Sequence, residues 1–232
     1  METRAKPPAA TGSVANAVRA GIEASEAPGR ALLGFAAAVF VFHHLPTVAG
    51  DAADWIDPLT PLAVVGAAAL VLLTLKEGPG AIALALLAGL LYVDGHGIHL
   101  AANSIAHEEL HGSAKTVAHF WDEEWGHVEW HLDLIGLACA FCVAARAHST
   151  RLGSPGRLSA VLLGRTLFTT TVEGATWWLE LGATAVCAAW AGRTRRPVVV
   201  VSASAFVLGA LPIGIWAIWH GGVPQFSDVG WI

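Results

Sequence analysis

Charged residues are scarce in this chain, and their scarcity excludes most classes of soluble protein. Only 13% of its 232 residues are Asp, Glu, Lys or Arg, whereas soluble domains average about a quarter. The formal net charge is −5, so the basic surface that nucleic-acid binding requires is missing. Because 55% of the residues are hydrophobic, we expect an integral membrane protein, and the length suits one domain.

Cysteine, methionine and lysine are also rare, and each shortage excludes a kind of site. The three cysteines all lie within apolar runs, so we expect buried thiols rather than a disulfide framework. Met1 is the only methionine, which is inconsistent with a methionine-lined copper carrier. A retinal protein needs a lysine within a membrane span for its Schiff base. Lys6, Lys76 and Lys115 all fall in tails or loops, which excludes that class.

What the chain does contain is a series of apolar segments. A bilayer core about 30 Å thick requires about 20 apolar residues per helix. The sequence therefore predicts an all-α, polytopic membrane bundle of about seven transmembrane helices, of which the fifth and sixth are short. The predicted spans are Ala31–Ala49, Leu59–Leu75, Ala81–Asn103, Gly126–Ala147, Leu158–Val172, Trp177–Ala191 and Val198–Trp219.

The distribution of basic residues predicts the orientation of these spans. Eleven of the 13 Lys and Arg residues precede the first span or lie in the loops after the second, fourth and sixth spans. Lys115 lies on the opposite side, and Arg165 lies within the fifth span. Since Lys and Arg concentrate in cytoplasmic loops, we expect a cytoplasmic N-terminus and an external C-terminus. The chain would be a multi-pass protein of the plasma or inner membrane.

Two regions are expected from this pattern. Residues 1–29 form a cytoplasmic tail, in which the helical spacing of Val14, Val18 and Ile22 favours a short amphipathic helix lying on the membrane. A disordered tail is the alternative. Residues 30–232 form the transmembrane bundle, with an external loop at 104–125 that is rich in histidine and acidic residues.

Histidine is abundant, and its positions indicate a site. Ten of the 11 histidines fall outside the membrane or in its outer half when the spans are oriented in this way. His99 and Asn103 are four residues apart, as are Glu123, His127 and His131, so each set shares one face of a helix. Two imidazoles at this spacing can bind one metal ion, and a ligand from another helix completes the shell.

We therefore expect a metal site in the outer half of the bilayer. A metal-free, hydrogen-bonded cluster that relays protons is the alternative, and a capping role is open for Glu173. Glu180, deeper in the sixth span, requires a partner, for which Arg165 or the histidine cluster are candidates. The predicted ligands are His96, His99, Asn103, His127, His131 and Glu173, with Asp94 and Glu123 as catalytic carboxylates. Whether His107, His111 and His119 join the site is left open.

Tryptophan is concentrated on the same side as histidine. Eight of the ten tryptophans lie at or near the external boundary, which exceeds the usual interfacial belt. An aromatic rim of this kind would shape a pocket for an apolar substrate or dock a membrane-protein partner. An ordinary interfacial belt, which only anchors the helices in the membrane, is the alternative.

Three functions are compatible with these features. The first is a membrane metalloenzyme that uses iron or copper, one ion or two, for redox chemistry on a hydrophobic, membrane-soluble substrate. The second is a zinc-dependent hydrolase of a lipid amide or ester, in which a zinc-bound water attacks the substrate. The third is a non-enzymatic metal-binding or structural subunit of a membrane complex. We expect the first, because the ligand set is large enough for two ions.

Overall fold

The computed structural model describes residues 11–75, 78–106, 111–145 and 152–231, and its secondary structure over these ranges consists of helices joined by short turns. It confirms the all-α prediction. None of the described residues forms a strand. His107, one of the histidines left open above, lies outside the described residues. The α-helices are α1 (Thr11–His44), α2 (Ala53–Ile56), α3 (Thr60–Leu75), α4 (Pro79–Ala106), α5 (Ser113–His119), α6 (His127–Ala144), α7 (Gly153–Glu173), α8 (Trp177–Thr194) and α9 (Pro197–His220).

Five helical segments in the described part of the chain are long and apolar enough to cross a membrane. Their outer surfaces are covered with large apolar side chains, among them Leu73 on α3, Leu86 on α4 and Ile218 on α9, which are 75%, 63% and 86% exposed. Such surfaces are stable against lipid but not against water. The five segments are Glu26–Val48, Asp57–Leu75, Pro79–Ile105, Ser113–Ala144 and Pro197–His220.

Helices α7 and α8 are more polar than these five, and four hydroxyl groups of α7 are buried within the bundle. α7 packs between α1 and α9, and α8 packs against α9. Ser159 and Thr171 are both fully buried on α7, and each hydroxyl donates to a carbonyl oxygen of its own helix. This internal pairing removes most of the cost of burying a hydroxyl group.

Glycines allow the helices to approach closely at two crossings. A Cβ atom on Gly164 of α7 would lie 2.6 Å from Leu208 Cβ and 2.9 Å from the Ala205 oxygen of α9. A Cβ atom on Gly95 of α4 would lie 3.1 Å from the backbone nitrogen of Trp130 on α6. All three distances are shorter than normal contacts of a carbon atom, so these helix pairs can pack in this way only because glycine is present.

The regions outside the apolar runs are more ordered into helices than the sequence predicts. The described part of the N-terminal tail is continuous with the first apolar segment in α1, a helix of 34 residues that contains Pro28. The predicted loop at 104–125 contains the end of α4, the short helix α5 and most of a π-helix at Phe120–Gly126. A segment rich in alanine carries high helix propensity with or without an apolar face, which explains the extension of α1.

Several helix ends meet at one end of the bundle. The last residue of α1, His44, contacts Thr169 near the end of α7, with Nε2 and Oγ1 3.2 Å apart. Near the start of α6, His131 contacts Thr176, the residue that precedes α8, with Nδ1 and Oγ1 2.9 Å apart. This end of the bundle is where the histidines and carboxylates of the sequence come together.

Candidate functional site

A cavity of about 820 Å³ opens at this end of the bundle. Its walls come from α1, the segment before α3, α4, the π-helix, α6 and α7. A volume of this size accommodates a small organic molecule. The polar side chains that line it are those of His43, His44, Thr47, Asp57, Thr60, His96, His99, Asn103, Glu123, His127, Arg165, Thr169, Thr170 and Glu173.

Helix α4 contributes two histidines that each contact a carboxylate. His96 is buried, and its Nε2 donates to the Asp57 carbonyl oxygen at 3.0 Å and lies 3.2 Å from Asp57 Oδ1. His99 Nδ1 lies 2.7 Å from Oδ1 of the buried Asp122, a contact of ion-pair length. Carboxylates in such positions orient histidine rings and increase their basicity.

The ring of His127 lies opposite His99, across the contact between α4 and α6. Their ring centroids are 5.0 Å apart. His127 Nδ1 donates to the Glu123 carbonyl oxygen at 3.0 Å, which leaves Nε2 as the unprotonated nitrogen of the neutral ring. Gly174 leaves space for this ring, because a Cβ atom there would lie 2.8 Å from it. Of the predicted ligands, His99 and His127 are therefore brought together, and Oε2 of the predicted catalytic carboxylate Glu123 lies 3.8 Å from His127 Nδ1.

His131 is buried one turn deeper and does not line the cavity. Its Nδ1 donates to the His127 carbonyl oxygen at 2.8 Å, and its Nε2 accepts from the Thr170 hydroxyl at 2.9 Å. Thr176 Oγ1 lies 2.9 Å from Nδ1. Both ring nitrogens are therefore hydrogen-bonded to the protein, an arrangement typical of a structural buried histidine.

His43 and His44 line the cavity although they were not among the predicted ligands. His44 Nδ1 donates to the Phe40 carbonyl oxygen at 2.8 Å, the same i−4 bond that holds His127 and His131. The ring of His43 stacks on Trp130, with centroids 4.8 Å apart. Their position at the end of the first apolar segment, on the same side as the other histidines, was the available signal in the sequence.

The remaining predicted residues are divided between the cavity and the surface. Asn103 lines the cavity, whereas Asp94 is exposed on α4 and does not. Glu173 lines the cavity, but its carboxylate is hydrogen-bonded to the C-terminal segment. Oε2 accepts from the Phe226 backbone N–H at 2.8 Å, and Oε1 accepts from the Ser227 hydroxyl at 2.6 Å. These bonds hold the C-terminal segment against the end of α7.

The described residues do not already form a complete metal-binding group. Among them, no three His, Cys, Asp or Glu side chains are gathered in an arrangement that could hold one metal ion. The pair formed by His99 and His127 is nevertheless compatible with a shared ion. Two imidazoles bound at about 2.0 Å to one tetrahedral ion have ring centroids about 5 Å apart. A third ligand would have to move toward this pair.

An aromatic cluster lies beside the cavity at the end of α9. Trp216 contacts Trp219 and Trp231, with ring centroids 6.4 and 4.7 Å apart, and packs on Phe226, which itself lines the cavity. Trp219 and Trp231 are 70% and 58% exposed. The cluster links the C-terminal segment held by Glu173 to the cavity wall.

The chain was compared with protein-family models, with curated proteins and with solved structures, and no match was found in any of the three comparisons.

Proposed function

We propose that this chain is a multi-pass membrane protein that binds a transition-metal ion and acts on a membrane-soluble substrate. The ion would bind in the cavity lined by His43, His44, His96, His99 and His127, called the histidine cavity below. The membrane topology proposed is seven spans with a cytoplasmic N-terminus and an external C-terminus. In this topology α7 and α8 are the fifth and sixth spans, in addition to the five long apolar segments. At 1.5 Å per residue, helices of 21 and 18 residues are about 32 and 27 Å long, close to the bilayer thickness.

The meeting of helix ends supports this topology. In an alternating bundle, the ends of the first, third, fifth and seventh spans lie on the same side as the starts of the even-numbered spans. The contacts of His44 with Thr169 and of His131 with Thr176 follow this order. The cavity then opens on the external side, where few basic residues lie.

The single observation that carries the metal proposal is the pair of imidazoles at the junction of α4 and α6. His99 and His127 lie at 5.0 Å, and the Nδ1 proton of His127 is held by a helix carbonyl. Histidines that bind metal ions commonly donate the other ring nitrogen in this way. Two carboxylates lie beside this pair: Asp122 Oδ1 is 2.7 Å from His99 Nδ1, and Glu123 Oε2 is 3.8 Å from His127 Nδ1.

Redox chemistry is the reaction class proposed, with iron or copper as the ion. The cavity gathers more donors than one ion requires, since His96, Asn103 and His43 line it together with His99 and His127. Hydrolysis of a lipid amide or ester is the second reaction class. In that case His99, His127 and a third ligand hold zinc, and Glu123 acts as the general base for the attacking water.

A non-enzymatic subunit of a membrane complex is the third function. The exposed tryptophans at the end of α9 support it, because aromatic side chains are enriched where proteins dock. Its partner would be another membrane protein on the external side, and the lipid bilayer surrounds the chain in all three cases.

The metal content of the purified protein distinguishes these functions. Iron or copper at about two ions per chain supports redox chemistry, whereas zinc at about one supports hydrolysis. His127→Ala should lose the ion, and His220→Ala, at the same end of the bundle but outside the cavity lining, should retain it. If the purified protein carries no transition metal and none can be added, the metal proposal is wrong.

A further inference from the structure

Arg165 is a charged side chain in the middle of α7. It lies eight residues before Glu173, so its Cα atom is about 12 Å from the end of the helix. The side chain is exposed and carries five N–H donors. No ion pair or side-chain hydrogen bond among the described residues involves its guanidinium group, and Glu180, the predicted partner, is buried with Oε1 beside Gly209.

An arginine at this depth is costly unless a polar group meets it. A charged side chain near the bilayer centre is destabilising and normally faces a cavity or a partner. Arg165 lines the histidine cavity. One turn further along α7, Thr169 also lines it, and His44 is close enough to Arg165 for their charges to interact. Arg165 therefore lies where the cavity meets the outside of the bundle.

The face of α7 below Arg165 is apolar and exposed. Val161 and Leu158 lie four and seven residues before Arg165, so the three side chains share one face of the helix. They are 54% and 49% exposed. Toward the end of α7, this face therefore presents first the apolar side chains of Leu158 and Val161 and then the guanidinium group of Arg165. Thr169 and the cavity come after Arg165.

We propose that Arg165 binds the oxyanion of an acyl-chain amphiphile, with the acyl chain along Val161 and Leu158 and the anionic end at the cavity. This proposal rests on the proposed function, because it requires α7 to lie in the bilayer and names the substrate class of the cavity. The guanidinium group offers two parallel N–H donors that match a carboxylate or a phosphate.

The charges in the cavity favour an anchored anion over a free one. Asp57 and Glu123 line the same cavity and repel an anion that diffuses freely within it. An acyl chain keeps the anionic end beside Arg165, at the mouth, and away from these carboxylates. The apolar face of α7 gives the chain its contact surface.

Binding of palmitate to the purified protein in a non-ionic detergent tests this proposal. The readout is quenching of tryptophan fluorescence by brominated palmitate, and the competitors are palmitate, hexadecanol, acetate and inorganic phosphate. We expect saturable quenching that palmitate displaces. We also expect hexadecanol to compete at least about tenfold more weakly, because an ionic hydrogen bond contributes at least that factor. Arg165→Gln should weaken binding by a similar factor.

Arg157→Gln is the matched control, since Arg157 is exposed on the same helix two turns before Arg165. It should leave binding unchanged, and Arg165→Lys should retain part of the affinity. Equal binding to Arg165→Gln and wild type, or equal competition by hexadecanol and palmitate, would overturn the proposal. Competition by phosphate or acetate as strong as by palmitate would also overturn it, because the site would then bind a free anion.

Metal content measured on the same samples separates this proposal from the proposed function. Arg165→Gln should lose palmitate binding while its metal content equals that of the wild type. If the protein binds palmitate through Arg165 but no transition metal, the metal proposal fails and the amphiphile site stands. If the metal is bound and Arg165 makes no difference, only the amphiphile proposal fails.

Discussion

Replacing Gly164 by alanine tests the helix crossing that holds α7 against α9. The added Cβ atom would lie 2.6 Å from Leu208 Cβ and 2.9 Å from the Ala205 oxygen, against about 3.5–4.0 Å for a normal contact. Neither atom is at the end of a flexible side chain, so the two helices have to separate by about 1 Å. Overpacking of this kind costs about 1–3 kcal/mol, of which the higher helix propensity of alanine offsets up to about 1 kcal/mol.

The control is Gly182→Ala on α8, where an added Cβ atom has no neighbour within 4 Å. The free energy of unfolding of this variant should rise by only about 0.5–1 kcal/mol, because alanine has a higher helix propensity than glycine. Thermal unfolding in detergent, followed by tryptophan fluorescence, measures both variants. At about 2–4 °C per kcal/mol for a chain of this size, the remaining cost of up to about 3 kcal/mol should lower the midpoint of Gly164→Ala by up to about 12 °C, and Gly182→Ala should raise the midpoint by about 1–4 °C. A midpoint for Gly164→Ala equal to or above that of Gly182→Ala would refute this reasoning.

Three further predictions concern the residues around the cavity. Thr170→Val removes the hydroxyl group that donates to His131 Nε2 and should lower the free energy of unfolding by about 1–3 kcal/mol, whereas Thr170→Ser should retain most of it. Equal thermal-unfolding midpoints for the Val and Ser variants would contradict this. Glu173→Gln weakens the bonds to Phe226 and Ser227 and should speed proteolysis of the C-terminal segment, while Glu124→Gln, exposed on the π-helix, should not. A reporter fused to the C-terminus should be external, and a cytoplasmic reporter would contradict the proposed orientation.

The helical fold follows from local composition, and so could be predicted from the sequence. Apolar runs predicted a helix at each of the seven predicted spans, because an apolar stretch in a bilayer must satisfy its backbone internally. The continuity of the tail helix with the first apolar segment in α1 and the helices within residues 104–125 were not predicted, because apolar content does not report helix propensity in polar segments. The number and orientation of the spans stay predictions.

The site was predictable only where one helix determines it. The four-residue spacing correctly grouped Glu123 and His127, which line the cavity. Asp94 was included although it lies five residues before His99, about 140° around the helix, and it is exposed on another face. Contacts between distant segments were not accessible, such as Asp57 with His96 and Thr170 with His131, which are 39 residues apart in both cases.

Metal affinity at the pair formed by His99 and His127 is the most direct test of the proposed function. The metal-free protein in detergent is titrated with Fe²⁺, Cu²⁺ and Zn²⁺, alongside the variants His127→Ala and His220→Ala. Removing a ligand should weaken binding at least as much as loss of an orienting partner, so we expect a decrease of about 100-fold for His127→Ala. His220→Ala should match the wild type. Equal affinity in all three proteins, or no saturable binding of any of the three ions to the wild type, would contradict a metal site in this cavity.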